Sequence, residues 1–189
     1  LSTALSQQRA VGRVRGAEAD RRAACMARGG ARAGRNRGRR GGRKAHGVQV
    51  GGAVKNIIAI ACGVASGQGC GENTRAAIVT RGLAETARLA TALGGNPETL
   101  SGLSGLGDFL LSCTSRKSRN FKFGELLGTG HSPQEALKHM QGVVEGFHSA
   151  KPVFERANKL NIDLPICFSI NSILAGNTDV STSIRRLLN

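Results

Sequence analysis

Three groups in this chain could do chemistry. An ammonium, Lys55, is set in the apolar run G-G-A-V-K-N-I-I-A-I-A-C-G at residues 51–63, beside the amide of Asn56. A carboxylate, Asp108, directly follows two glycines, Gly105 and Gly107, near the start of G-L-G-D-F-L-L-S-C-T-S-R-K-S-R-N at residues 105–120. That stretch closes in the third group, a basic, hydroxyl-rich cluster ending in Ser118, Arg119 and Asn120. Arg presents a planar fork of N–H donors and Ser and Asn add neutral ones, a set suited to a phosphate. A helix starting near Ser118 would add its unpaired backbone N–H groups. An acid placed where glycines admit a ligand to the backbone can orient a polar group. Taken singly, each group has a plainer reading: Lys55 snorkels or ends in a salt bridge, Asp108 caps a helix, and Ser-Arg-Asn is a solvated turn. Sixteen contiguous residues carrying two glycines, a carboxylate expected to be buried and a five-residue donor cluster ask for more than a turn.

Helices must carry these groups. Residues 51–67 are apolar for long enough to form a buried helix, with small residues permitting close packing. Gly67-Gln68-Gly69-Cys70-Gly71 resembles a phosphate loop, yet it follows no strand and lacks a nucleotide fingerprint, so a helix–helix turn is expected. From Glu72 or Asn73 to Leu93 the residues Ala76, Ala77, Val79, Leu83, Ala87 and Ala90 fall near helical spacing. Gly94-Gly95 ends that helix and Asn96-Pro97 starts a turn. Gly102-Leu103-Ser104-Gly105-Leu106-Gly107 imitates a dinucleotide fingerprint, again without a strand; its glycines are expected to bring backbone close to a ligand. A helix over 121–127 stops at Gly128-Thr129-Gly130, and Ser132-Pro133-Gln134-Glu135 is a capping box opening a helix to Met140. His131 and His139 are expected at the surface. Further helices are expected after the 141–146 run, through Ala150, Val153, Phe154, Ala157 and Leu160, and from Pro165 to about Ala175, with a last one capped by Ser181 or Thr182. About eight helices and no strand make residues 47–189 an all-α domain.

Composition narrows the class. The formal charge of +15 over 189 residues is concentrated in residues 1–46, where 13 Lys+Arg face 2 Asp+Glu, against 14 and 10 in the remainder. Five cysteines, Cys25, Cys62, Cys70, Cys113 and Cys167, form no C-x-x-C pair and no Cys/His spacing, so no metal site is expected. An odd number in apolar sequence suggests reduced thiols and a cytoplasmic protein. No stretch of about 20 apolar residues is present to span a membrane.

The runs at 51–63 and 105–120, with Q-G-V-V-E-G at 141–146, closely resemble bacterial NAD(P)-dependent glycerol-3-phosphate dehydrogenase. The resemblance covers residues 47–189 and only that family's C-terminal, substrate-binding helical domain; the nucleotide-binding half, a strand–G-x-G-x-x-G–helix unit, is expected upstream and is not found. It implies an oxidoreductase interconverting sn-glycerol 3-phosphate and dihydroxyacetone phosphate with NAD or NADP, feeding glycerophospholipid synthesis. It implies Lys55 as the catalytic lysine, in apolar surroundings of the kind that disfavour a charged form. Asn56 would be its polar neighbour and Asp108 would orient Lys55 or a substrate hydroxyl. Ser112, standing where the family usually has Thr, would contribute a hydroxyl, and Ser118, Arg119 and Asn120 would clamp the substrate phosphate. Arg119, Val143 and Glu145 would touch the cofactor. A homodimer is compatible with the resemblance. Turnover by these 189 residues alone is expected to be negligible.

Residues 1–46 are Arg, Gly and Ala in irregular order, as in G-G-A-R-A-G-R-N-R-G-R-R-G-G-R-K, with too little large apolar surface to offset ordering entropy. They are expected to be disordered. The Arg-Gly-Gly triplets at 28–30 and 40–42 would suit a nucleic-acid tail, making a basic-tailed helical module the alternative function, but there are no aromatics there for stacking. A transit peptide would share the arginines but not the scarcity of serine. A frame-shifted translation would also explain the abrupt change at Gly47, and reading the other frames upstream would test it.

Overall fold

The computed structural model describes the backbone of residues 39–95 and 103–188 and the side chains of 51–95 and 105–185. The described residues form eight helices and no strand: α1 (Arg39–Gly67), α2 (Glu72–Ala92), α3 (Leu103–Thr114), α4 (Arg119–Gly128), α5 (Pro133–Lys138), α6 (Glu145–Lys159), α7 (Pro165–Leu174) and α8 (Val180–Leu188). The expected helical class holds. Helix α1 begins at Arg39, so residues 39–46 belong to it rather than to a structureless segment. Most of the disordered, nucleic-acid-tail and frame-shift expectations fall on residues 1–38, which lie outside those described.

Helix α1 is the axis. At 1.5 Å per residue its 29 residues run roughly 44 Å, and α2, α3, α4, α6 and α7 all pack on it. Its sequence explains why: from Val54 to Ala65 every residue except Lys55 and Gly63 is an apolar or small side chain or Asn56, and Val54, Ile57, Ile58, Ile60 and Val64 are fully buried. Apart from Lys55, the 54–65 segment is apolar or small on all sides and buried on all sides.

The closest crossing is with α4 and is made by glycines at a four-residue spacing in both helices. A Cβ on Gly63 would stand 2.9 Å from the Gly124 Cα and inside the carbonyl oxygen of Phe121. One on Gly67 would stand 2.8 Å from the Gly128 Cα, and the reciprocal overlaps hold for Gly124 against Ile60 and Gly128 against Val64. The two backbones therefore touch, which no other residue would permit. Buried Phe121 and Phe123 flank the crossing on α4.

Turn chemistry follows the sequence closely. Gly69 (φ +74°) and Gly94 (φ +76°) occupy left-handed positions after α1 and α2. The 67–71 segment is the expected helix–helix turn. Ser132 caps α5 in a full capping box with Glu135, although the helix ends at Lys138 rather than Met140. The cap of α8 is Asp179, whose carboxylate accepts from the Thr182 backbone N–H (3.0 Å) and from the Thr182 hydroxyl, displacing the expected Ser181 or Thr182 cap. Those bonds hold Asp179 at a pKa of about 2. Cys62, Cys113 and Cys167 are buried free thiols and Cys70 is half-buried; the neighbouring Cys62 thiol and burial push Cys113 far up, so it stays protonated.

Glu85 is a structural surprise. It is buried on α2, with its two oxygens accepting from the backbone N–H groups of Ile166 (2.7 Å) and Cys167 (3.1 Å) at the start of α7. Leu164, the N-cap residue of α7, has no side-chain bond to offer. A carboxylate from another helix thus satisfies the exposed donors of α7.

Candidate functional site

Lys55 projects from α1 with about 19% of its side chain exposed, and its Nζ lies 2.5 Å from Oδ2 of Asp108 on α3. Two residues 53 apart in sequence are thereby joined at the rim of the domain. The expectation that Asp108 is buried fails: its side chain is 62% exposed. Helix α3 starts at Leu103, so both Gly105 and Gly107 are inside the helix. A Cβ on Gly107 would meet no protein atom within 4 Å, so the helix surface there is open. Ser112, one turn on from Asp108, donates its hydroxyl to the Asp108 carbonyl at 2.8 Å.

Asn56, next to Lys55, turns the other way and is buried. Its Nδ2 donates to Oε2 of Glu145 at 2.9 Å. Glu145 is the first residue of α6, where a negative charge meets the positive end of the helix dipole. The next residue, Gly146, rides directly on α1: a Cβ there would stand 2.7 Å from the Asn56 carbonyl oxygen. The Gly146 N–H donates to Oδ1 of Asn120 at 2.9 Å.

The donor cluster divides its work. Ser118 is the N-cap of α4, its hydroxyl oxygen accepting from the Phe121 N–H at 3.4 Å. Asn120 is buried and its carbonyl oxygen is committed to Gly146. Of the expected side-chain clamp, it is Arg119 that stays exposed. The first backbone N–H groups of α4, at Arg119 and Asn120, sit at the positive end of that helix. Arg119 reaches across to the loop before α6, where Gly142 holds φ +90°; a Cβ on Gly142 would lie 2.8 Å from the arginine Nη1. Val143 in that loop is half-buried.

Four segments remote in sequence therefore meet: Lys55-Asn56 on α1, Asp108 to Ser112 on α3, Ser118 to Asn120 at the start of α4, and Gly142 to Gly146 entering α6. All nine residues singled out in the sequence lie in this one region. Sequence reasoning missed Gly142 and Gly146, whose glycines make the close approaches; both stand inside the Q-G-V-V-E-G run, where only Val143 and Glu145 attracted notice. His131 and His139, on either side of α5, meet edge to face with ring centroids 5.5 Å apart and planes at 82°. Among the described residues no His, Cys, Asp and Glu cluster could hold a metal ion, and no helix is long and apolar enough to cross a membrane.

The arrangement offers an ammonium held by a carboxylate on α1 and α3 and, linked to α1 through the Asn56–Glu145 and Gly146–Asn120 bonds, a cationic fork at the N-terminus of α4. That combination can bind a phosphate at one end and exchange a proton with a hydroxyl or carbonyl oxygen at the other.

Residues 45–185 match the family described as NAD-dependent glycerol-3-phosphate dehydrogenase C-terminus. A glycerol-3-phosphate dehydrogenase (NAD(P)+) from Rhodospirillum rubrum is 51% identical over 142 residues, covering 75% of this chain and 41% of that protein. The enzyme of the same name from Bacillus subtilis is 45% identical over 142 residues, with the same shares covered. The chain thus spans about two fifths of the length of these relatives. A solved glycerol-3-phosphate dehydrogenase from Coxiella burnetii superposes with a TM-score of 0.75 at 42% identity, over 77% of this chain and 45% of that one. A more distant structure from Dunaliella salina, at 23% identity and a TM-score of 0.66, shares the fold.

Proposed function

Because this chain belongs to the NAD-dependent glycerol-3-phosphate dehydrogenase family through its C-terminal domain, we propose that it holds sn-glycerol 3-phosphate or dihydroxyacetone phosphate for hydride exchange at C2. The observation that carries this reading is the Lys55–Asp108 pair standing in the same region as the open N-terminus of α4.

In this reading Arg119, with the first N–H groups of α4, binds the substrate phosphate, and the Asn120 amide supports it. After losing a proton to solvent, the neutral Lys55 amine takes the C2 hydroxyl proton when the alcohol is oxidised; as the ammonium it gives a proton to the C2 oxygen when the ketone is reduced. Asp108 holds the ammonium in place between turnovers through the 2.5 Å contact, and the Ser112 hydroxyl, its hydrogen given to the Asp108 carbonyl, leaves an acceptor on the same side of α3. The buried surroundings of Asn56 and Ile57 keep water from the inner side of Lys55.

The residues entering α6 suit a phosphate-bearing nicotinamide dinucleotide: Val143 offers an apolar edge, Glu145 a carboxylate fixed by Asn56, and Arg119 a cation lying over the bare Gly142. Bound NAD or NADP would supply the hydride acceptor or donor for C2. We place the protein in the cytoplasm, as a homodimer, and assign its product to glycerophospholipid synthesis. The nucleic-acid reading leans on residues 1–46, and among the described residues the phosphate-sized donor set favours the small substrate.

Isothermal titration of the chain with sn-glycerol 3-phosphate, with glycerol as control, tests the proposal. Binding of the phosphate ester but not of glycerol is expected. Arg119→Ala should weaken it by about tenfold to a hundredfold, the loss of one hydrogen bond to a charged group at about 1.5–3 kcal/mol. Equal affinity for the two ligands, or no effect at Arg119, contradicts it.

A further inference from the structure

Gly142 belongs to no part of the machinery above, yet it determines where the Arg119 guanidinium can be. Its backbone holds φ +90°, a region that side chains rarely adopt. The atom nearest to a Cβ built there is Nη1 of Arg119, at 2.8 Å, with the rest of that side chain at 3.9 Å and beyond. The far end of the arginine therefore lies in the space that a side chain at 142 would fill. Among the described residues, Arg119 forms no ion pair that would otherwise fix its head. The neighbouring residue on α4, Asn120, is bonded to Gly146, so the loop bearing Gly142 is itself fastened to the start of α4.

We infer that Gly142 is a positioning residue for Arg119: its missing side chain opens a slot on the loop before α6 in which the guanidinium rests, facing the N-terminus of α4 and the segment carrying Val143 and Glu145. The inference deepens the substrate reading, since it makes the phosphate-binding cation depend on the loop assigned to the cofactor. Filling the slot displaces the arginine head and leaves the fold, because the far end of a long side chain gives way more easily than backbone.

Strain and slot separate experimentally. Gly130 also has positive φ, +100°, but a Cβ there would meet nothing within 4 Å. Gly130→Ala thus carries the backbone penalty without an arginine to move. In the ligand-free chain, the Arg119 Nε–H resonance and its ¹⁵N relaxation are measured in wild type, Gly142→Ala and Gly130→Ala. Gly142→Asn serves as a second variant, since Asn tolerates positive φ better. Arg119 should be ordered in wild type and Gly130→Ala and mobile in both Gly142 variants. Affinity for sn-glycerol 3-phosphate should fall by about tenfold in the Gly142 variants, with no further loss when Gly142→Ala is added to Arg119→Ala. Unchanged Arg119 dynamics in the Gly142 variants overturn the inference. Arg119 dynamics that change as stated, in a wild-type chain that binds no glycerol phosphate, support the positioning role and count against the substrate reading alone.

Discussion

Lys55 shows how one residue can satisfy two readings at once. A lysine in an apolar run was expected either to end in a salt bridge or to do chemistry, and it ends in a salt bridge with the very carboxylate that the chemistry would require. Its identity and that of Asp108 were legible because a charge among apolar residues and an acid among glycines are both rare. The surroundings of Asp108 were not legible. Glycine there looked like a loop, but the helical spacing of Leu103, Leu106 and Leu110 prevails and puts the acid on an exposed helical face. Glu85 escaped notice altogether, since a glutamate in an amphipathic helix looks solvated and its partners, Ile166 and Cys167, are 81 and 82 residues away. Burial raises its pKa above the ordinary 4.5, outweighing the two N–H bonds that lower it. The folded chain therefore holds this proton more tightly than the unfolded one. The contribution is full below about pH 4.5 and drains away as pH rises through the folded-state value. Glu85→Gln should flatten that part of the pH–stability profile, measured by urea unfolding across pH. Glu85→Ala should cost about 1–3 kcal/mol for each N–H left without an acceptor. A profile as steep in Glu85→Gln as in wild type would show that Glu85 does not titrate there.

At the scale of elements, the crossing of α1 and α4 sets the site. It brings Arg119 and Asn120 within reach of the segment that also touches Asn56, because the α6 start is bonded to both helices. Helix existence was readable along the chain from periodicity, caps and Gly punctuation, and the capping box at Ser132 appeared where expected. Pairing was not readable. Gly67 and Gly128 were expected at helix ends, Gly63 was one of several small residues permitting close packing, and Gly124 drew no notice, whereas their common spacing of four makes a backbone-to-backbone contact that appears only when both helices are considered together. Gly124→Ala puts a methyl into the Ile60 carbonyl, with rigid backbone on both sides and nothing soft to yield. The expected loss is about 3 kcal/mol or more, with weakened phosphate binding as α4 is pushed outward. Thermal unfolding with titration of the folded fraction measures both. Full stability in Gly124→Ala would mean that the two helices are not in contact as described.

For the molecule as a whole, the described part is an all-helical domain built on α1, and its family follows from the match over residues 45–185. The family was recognisable in the sequence because the three motif runs carry the chemistry, together with glycines of close approach at Gly63, Gly142 and Gly146. What one chain's sequence could not convey was that four segments spread over some 90 residues meet at a single rim. The central claim is that Lys55, Asp108 and Arg119 serve one small phosphorylated ligand, and a crystal structure of the chain with sn-glycerol 3-phosphate tests it most directly. The account predicts the phosphate at the start of α4 within hydrogen-bonding distance of Arg119, with the C2 hydroxyl facing the Lys55 Nζ. A ligand bound at any other surface, or a phosphate at α4 with its triol directed away from Lys55, would contradict it.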